Sequence, residues 1–117
     1  MPPKSNPLNL NPLQLRTLTL LQQLARIPGN AAAPDGEGAI LVGNAPPAHG
    51  DHFHLGDAVV RAADATGLQN PAAWLALQRK DLIVSRFPDA ALLTPAGLAY
   101  DTGPAQAILH RADHAGH

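Results

Sequence analysis

The chain of 117 residues contains no cysteine, which excludes disulfides and thiolate ligands for a metal ion. Aromatic residues are also scarce, at 3%, whereas hydrophobic residues together make up 45%. The interior must therefore consist mainly of leucine, alanine, valine and isoleucine. Because alanine and leucine are the best helix formers, this composition favours helices. The length allows one domain with one hydrophobic core.

The sequence also lacks an apolar run long enough to cross a membrane. Its most leucine-rich stretch, residues 13–24, is interrupted by Arg16, Gln22 and Gln23. The first five residues, MPPKS, lead into no hydrophobic segment, so we identify no signal peptide. These features predict a cytoplasmic protein without a membrane partner.

A strong charge of either sign is absent too, since the net charge is −1. The basic residues are nevertheless unevenly placed. Residues 1–34 carry Lys4, Arg16 and Arg26 and no acid, and residues 71–87 carry three basic residues against a single acid. Local patches of this size can attract a polyanion, although the total charge does not favour one.

Three predicted helices begin with the same device, an N-cap residue followed by proline. The three pairs are Asn11-Pro12, Asn70-Pro71 and Thr94-Pro95. At the first of them, Gln14 occupies the position of a capping-box partner, and leucines then recur at helical spacing. We predict that this first helix runs to Ile27 and ends at Pro28-Gly29.

Between the helix starts at Asn11-Pro12 and Asn70-Pro71, the sequence pattern predicts a hairpin and another helix. Residues 39–42 and 51–55 are read as two strands of one hairpin, or as an extended loop, because Pro46-Pro47 interrupts them. Asp57 is then predicted to cap a helix over residues 58–65. Gly67 is expected to end that helix in a left-handed conformation.

After the helix that starts at Asn70, residues 82–87 and 90–93 predict a two-stranded hairpin with its turn at Pro88-Asp89. A helix from Thr94 follows, and residues 105–112 are predicted to be helical again. The predicted fold is therefore mainly α with a small β component. We expect one core to contain Leu20, Leu24, Val59, Ala63, Trp74, Leu77, Ile83, Leu93 and Leu98.

The order helix, hairpin, helix, turn, helix, wing and helix resembles the winged-helix (winged helix-turn-helix) family. Residues 63–67 (ADATG) look like the end of the first helix of a helix-turn-helix unit with its turn glycine. Residues 77–83 (LQRKDLI) are similar to the stretch that closes a recognition helix and enters the wing. Residues 93–100 (LTPAGLAY) resemble the stretch that leaves the wing in MarR-like regulators. The resemblance covers residues 55–103.

The sequence departs from the MarR-like pattern at two points. The stretch from Gly67 to Leu77 is about one helical turn shorter, so the recognition helix is short. Asp81 replaces the usual glycine after that helix, which is tolerable because Asp can adopt a left-handed conformation. The first departure weakens the part of the pattern that reads DNA.

The resemblance implies a division of the chain into a tail, a domain and an extension. The segments are an N-terminal tail over 1–10, a winged-helix domain over 11–103 with an insertion at 29–55 and a wing at 82–93, and a C-terminal helical extension and tail over 104–117.

The family resemblance implies double-stranded DNA as the partner and a transcriptional regulator of the bacterial type. Base edges are read by long polar side chains on the inserted helix, and the wing meets phosphate or the minor groove. The residues of this sequence that fit are Gln69, Asn70, Gln78, Arg79, Lys80 and Arg86. The alternative is a winged helix used for contact with a protein partner or as a homodimer, since this helix is rich in alanine and the net charge is close to zero.

Histidines form the second candidate site. His49, His52 and His54 fall within six residues, and strand alternation would place His52 and His54 on one face. Such imidazoles can share a divalent metal such as zinc, or they can simply be solvated side chains of a loop. A second pair, His110 and His114, is four residues apart on the predicted C-terminal helix, with Asp113 and His117 nearby.

The sequence contains none of the catalytic motifs that we looked for. A thiol nucleophile is excluded by the lack of cysteine, and neither Ser5 nor Ser85 lies in a Gly-x-Ser-x-Gly turn. Residues 36–38 (GEG) are too short for a loop that cradles phosphate. We therefore expect a binding protein and no catalysis.

Overall fold

The structure is a computed structural model that describes residues 6–111. Its α-helices are α1 (Pro12–Leu24), α2 (Pro71–Arg79) and α3 (Pro95–Ala99). Its strands are β1 (Ile40–Gly43), β2 (His52–Leu55), β3 (Ala58–Arg61), β4 (Ile83–Arg86), β5 (Ala90–Leu93) and β6 (His110–Arg111). Three short 3-10 helices span Ala62–Asp64, Thr66–Gln69 and Gly103–Ile108. The strands form two antiparallel sheets, a first sheet in the order β1-β5-β4 and a second sheet in the order β2-β3-β6.

The prediction of a mainly α fold is wrong, because the described residues are 38% helix and 23% strand in two sheets. This is an α+β fold. The difference comes from residues 58–65, which were predicted as a helix and contain strand β3 and a 3-10 turn. Among the described residues, no helix is both long and apolar enough to span a membrane.

Helix α1 begins as predicted and ends earlier than predicted. The Asn11 side chain accepts a hydrogen bond from the Gln14 backbone N–H at 2.8 Å, and the Gln14 side chain accepts one from the Asn11 backbone at 3.0 Å. The helix ends at Leu24, and the amide of Ile27 turns back to the Leu24 carbonyl. Ile27 precedes a proline, which disfavours the helical conformation there.

The first sheet contains the predicted β4–β5 hairpin but joins it to an unexpected partner. Strand β1 pairs with β5, with Ile40 opposite Leu93 and Val42 opposite Ala91. The predicted hairpin between residues 39–42 and 51–55 is therefore wrong. Val42, Ala91 and Leu93 are fully buried, so the pairing of β1 with β5 contributes to the core. The local sequence pattern had predicted a different partner for β1, residues 51–55.

The second sheet is built on a tight turn between β2 and β3. Gly56 adopts a positive φ of 65°, and Leu55 pairs directly with Ala58 across the two-residue turn. Ala58 and Val60 are buried, whereas Val59 is only half-buried and Arg61 is exposed. This alternation is that of a strand, and it explains why the predicted helix over 58–65 is wrong.

The core contains most of the residues that were predicted for it. Leu20, Leu24, Trp74, Leu77, Ile83 and Leu93 are buried together, and Leu98 packs half-buried against them. Val59 and Ala63 are not members, since Val59 is on the outer side of the second sheet and Ala63 is exposed. Both were assigned to the core on a helical period that the strand replaces.

Gly67 is needed because α1 lies close to its backbone, and not because it adopts the left-handed conformation that was predicted. It lies inside a 3-10 helix, and positive φ values occur at other glycines. A Cβ on Gly67 would overlap the hydroxyl oxygen of Thr17 on α1. The Gly67 carbonyl accepts a hydrogen bond from the Trp74 indole at 3.0 Å, which fixes α2 against this turn.

Two neighbouring glutamines of α1 connect this helix to α3 and to the second sheet. Gln22 donates to the backbone carbonyls of Gly97 and Tyr100 at 2.8 and 2.9 Å. Gln23 is buried and donates to the Leu55 carbonyl at 2.8 Å, and its own oxygen accepts from Arg111. Helix α1 therefore holds α3 on one side and the second sheet on the other.

The C-terminal part of the described chain differs from its prediction. The segment predicted as helical from residue 105 forms the 3-10 helix Gly103–Ile108 and then strand β6. Strand β6 pairs with β3, with Val59 opposite His110. His110 thus lies on a strand, and the remainder of the predicted helix, residue 112, is outside the described residues.

Candidate functional site

Helix α2, the predicted recognition helix, is capped by a side chain at its first end and by backbone hydrogen bonds at its second. The Asn70 side chain accepts a hydrogen bond from the Ala72 backbone N–H at 2.9 Å and caps the helix. At the other end, Asp81 has a positive φ of 61°, so its expected left-handed conformation is confirmed. The amide of Leu82 then bonds back to the Leu77 carbonyl.

Gln78 connects α2 to the wing formed by β4 and β5. Its half-buried side chain accepts a hydrogen bond from the Ser85 backbone N–H at 2.8 Å. Of the predicted DNA contacts, Asn70 and Gln78 therefore use their side-chain oxygens inside the fold. Gln69 and Arg79 are exposed at opposite ends of the helix.

The remaining predicted DNA contacts lie beside the Gln78–Ser85 hydrogen bond. Arg79 follows Gln78, Arg86 follows Ser85, and Lys80 ends the helix. All three side chains are exposed, and none takes part in the ion pairs found within residues 6–111. We refer to Arg79, Lys80 and Arg86 as the basic edge.

The outward side of α2 has a different character from the basic edge. Ala73, Trp74 and Leu77 face the core, which leaves Ala72, Leu75 and Ala76 towards solvent. Leu75 is 42% exposed between small side chains. Such a surface offers few hydrogen bonds to base edges.

The outer face of the first sheet carries an apolar row that the sequence interpretation did not identify. The register places Leu41, Leu92 and Val84 side by side on neighbouring strands. Leu41 is 37% exposed and Val84 44% exposed. The signal for Val84 and Leu92 was their alternation with buried Ile83 and Leu93, but Leu41 joins them only through the unexpected pairing of β1. We refer to these three residues as the apolar row.

The structure brings the three predicted histidine ligands together at the start of the second sheet. His52 and His54 lie on the same face of β2, and His49 bonds to His52 through both backbone amides. The ring centroids of His52 and His54 are 4.8 Å apart, and those of His49 and His54 are 5.2 Å apart. We refer to His49, His52 and His54 as the histidine cluster.

Polar contacts within the cluster orient two of its rings. The Nε2 atoms of His52 and His54 are 3.1 Å apart, and His52 Nδ1 is 3.3 Å from the Asp51 carboxylate. Within residues 6–111, no group of three or more His, Asp or Glu side chains is arranged to hold a metal ion as it stands. The geometry therefore supplies a close pair of imidazole nitrogens with a third ring beside it.

The second predicted histidine pair is only partly described. His110 is exposed on β6, across β3 from His54. His114, Asp113 and His117 lie outside the described residues.

Comparisons with known proteins found no similar protein. No family model, no curated protein and no solved structure matches the chain.

Proposed function

We propose that the chain is a winged-helix domain that binds double-stranded DNA through α2 and the wing. Helix α2 leads directly into the β4–β5 hairpin and then into α3, which is the helix–wing–helix order of that family. The helix predicted to precede the recognition helix, residues 58–65, is strand β3 and a 3-10 turn, so the proposal rests on α2, the hairpin and α3 alone. A role as a transcriptional regulator follows from the same proposal.

The basic edge is the observation that carries this proposal. Three exposed cations without carboxylate partners in the described part of the chain lie at the C-terminal end of α2 and at the end of β4, two elements that the Gln78–Ser85 hydrogen bond joins. Such side chains contact phosphates and release counterions from the duplex. The apolar outward side of α2, and the internal bonds of Asn70 and Gln78, leave Gln69 and Arg79 as the base readers. Phosphate contacts then dominate over sequence readout.

The salt dependence of DNA binding tests this proposal. Fluorescence anisotropy with a labelled duplex of mixed sequence, started at low salt, measures the slope of log K against log salt. Replacing Arg86 by Gln removes one phosphate contact, so we expect the slope to fall by about 0.9 and the affinity to fall on every duplex alike. Arg26→Gln removes the same charge from an exposed position after α1 and should leave the slope unchanged.

Two outcomes would contradict the DNA proposal. One is no detectable binding of the wild-type chain at low salt. The other is an equal effect of Arg86→Gln and Arg26→Gln, which would indicate attraction by total charge and not by the basic edge.

The apolar row favours a second candidate function, contact with another copy of this chain. In a twofold dimer a surface patch meets itself, and a row of apolar side chains is its own complement. Leu41 and Val84, two of the most exposed large hydrophobic residues, both belong to this row. A dimer of winged-helix domains would cover them.

Sedimentation velocity over a range of protein concentrations tests this second candidate. We expect Val84→Glu to weaken dimerisation by at least about tenfold, because like charges would face each other across the symmetry axis. The matched control is Leu75→Glu, which adds the same charge at an equally exposed leucine on α2. A wild-type chain that stays monomeric at every concentration would exclude the dimer.

A further inference from the structure

We propose that the histidine cluster is a site for one divalent transition-metal ion of the zinc class. Its three ligands are the imidazoles of His49, His52 and His54, and water completes the coordination. The site uses residues of the second sheet and of the loop before it, and none of α2 or the wing, so the proposal stands independently of DNA binding.

The spacing of two ring nitrogens is the first argument for the site. Nitrogens bound to a tetrahedral zinc ion lie about 2.0–2.1 Å from the metal, which separates two of them by about 3.3 Å. The Nε2 atoms of His52 and His54 are already 3.1 Å apart. Their rings are inclined at 79° to each other, with the centroids 4.8 Å apart. Binding of an ion requires the two rings to rotate so that both Nε2 lone pairs face it, while the separation of the two nitrogens changes by only a few tenths of an ångström.

Asp51 provides the second argument because it orients His52. The Asp51 carboxylate is 3.3 Å from His52 Nδ1, and a hydrogen bond from Nδ1–H puts the lone pair on Nε2. Without a metal ion that lone pair accepts from His54 Nε2–H, and metal binding requires the His54 proton to leave or to move to Nδ1. Metal-binding histidines commonly donate their other ring N–H to a carboxylate in this way. The same contact that sets the tautomer of His52 thus turns its ligating nitrogen towards His54.

The third ligand comes from the segment that precedes β2. His49 is tied to His52 by two backbone hydrogen bonds of 2.7 and 3.2 Å, which fix the separation of the two residues. Its ring meets the His54 ring edge-on at a centroid distance of 5.2 Å. A rotation of the His49 side chain towards the pair completes three ligands. The metal would then bridge β2 and the loop before it.

The chemistry of the ligands restricts the ion. Imidazole nitrogen suits zinc, copper, nickel and cobalt, whereas magnesium and calcium require oxygen ligands. The His52 side chain is 37% exposed and Asp51 is fully exposed, so the ion has an open path from solvent. We therefore expect micromolar-range transition metals to bind and magnesium to have no effect.

Thermal unfolding of the full chain with and without zinc chloride tests the site. A ligand that binds only the folded state raises the melting temperature, and saturating zinc should raise it by about 5–10 °C. The His52→Ala/His54→Ala variant should unfold at nearly the wild-type temperature without metal and lose the zinc shift. His110→Ala is the matched control, because His110 is an exposed histidine of the same sheet outside the cluster, and it should retain the shift.

A zinc titration by calorimetry provides a second readout. The Asp51→Asn variant alters a fully exposed side chain and leaves the three ligands in place, so it should fold normally. Loss of the carboxylate should weaken zinc binding by about 10–100-fold. An affinity equal to that of the wild type would contradict the role given to Asp51.

Three outcomes would overturn the proposal itself. In the first, zinc, nickel and cobalt all leave the wild-type melting temperature unchanged, and the close pair is then only a hydrogen bond between two imidazoles. In the second, the His52→Ala/His54→Ala variant retains the full shift. In the third, His110→Ala abolishes it, which would place the ion at the C-terminal histidines.

Discussion

Thr17 and Gly67 show how closely α1 approaches the turn before α2. The Thr17 hydroxyl donates to the Leu13 carbonyl at 2.7 Å, so it cannot turn away without losing that bond. The Cβ of Thr17 would itself lie 3.0 Å from a Cβ placed on Gly67. Gly97 is close to a different kind of neighbour, because a Cβ there would overlap the backbone carbonyl of Leu82. A side chain can be shortened by mutation, whereas a backbone carbonyl cannot.

Because Gly67 faces a side chain and Gly97 faces a backbone carbonyl, a second substitution should rescue the stability of a Gly67 variant but not that of a Gly97 variant. Gly67→Ala should destabilise the fold by about 1–3 kcal/mol through overpacking, and adding Thr17→Ala should recover part of the loss because the hydroxyl is removed. Gly97→Ala should be at least as destabilising and should not respond to Thr17→Ala. Urea denaturation of the single and double variants measures the coupling. Strictly additive effects of Gly67→Ala and Thr17→Ala would contradict the packing described here.

Residues whose role is local could be predicted from the sequence. The N-caps Asn11, Asn70 and Thr94 and the left-handed Asp81 depend on neighbours within a few positions, and all four are confirmed. Gly67 was assigned a left-handed conformation from the same kind of pattern. Its actual reason, contact with Thr17, lies in another element, and the sequence contains no signal for it.

At the scale of elements, sequence distance explains part of the outcome. The β4–β5 hairpin pairs adjacent segments and was predicted, whereas β1 pairs with β5 and β3 pairs with β6 from distant parts of the chain. The β2–β3 hairpin is local and was still missed, because β3 was read as a helix. Residues 58–65 contain four alanines, which favour a helix. Strands on both sides of β3 supply backbone partners that outweigh this preference, since propensity is a weak guide against tertiary pairing.

Trp74 joins three elements, and its removal is the strongest test of the core. The side chain is fully buried, donates to the Gly67 carbonyl at 3.0 Å and meets the Phe87 ring edge-on at 5.2 Å. Trp74→Ala should cost about 3–5 kcal/mol of stability. Trp74→Phe keeps most of the ring volume and leaves the Gly67 carbonyl unpaired, which should cost about 1–3 kcal/mol. Equal stabilities of the two variants in urea denaturation would contradict this account.

At the scale of the whole molecule, the candidate surfaces belong to different sheets. The basic edge and the apolar row belong to α2 and the first sheet, and the histidine cluster belongs to the second sheet. Gln23 and Arg111 connect the second sheet to α1, because Arg111 donates both to the Gln23 side chain at 3.0 Å and to Asp57 at 2.6 Å. The histidines were found by their spacing in sequence, whereas the apolar row required a strand pairing that no local pattern indicates.

The long-range strand pairings also have a consequence for how the protein is made. Strand β1 lacks its partner in the first sheet until β5 has been synthesised, and β3 lacks its outer neighbour until β6 follows. A nascent chain that ends before these strands therefore holds Val42 and the buried face of α1 open to other molecules. Chains that fold through such distant contacts close slowly and are most prone to aggregate during this interval. The final twenty or so residues of the described chain thus decide when the rest can fold.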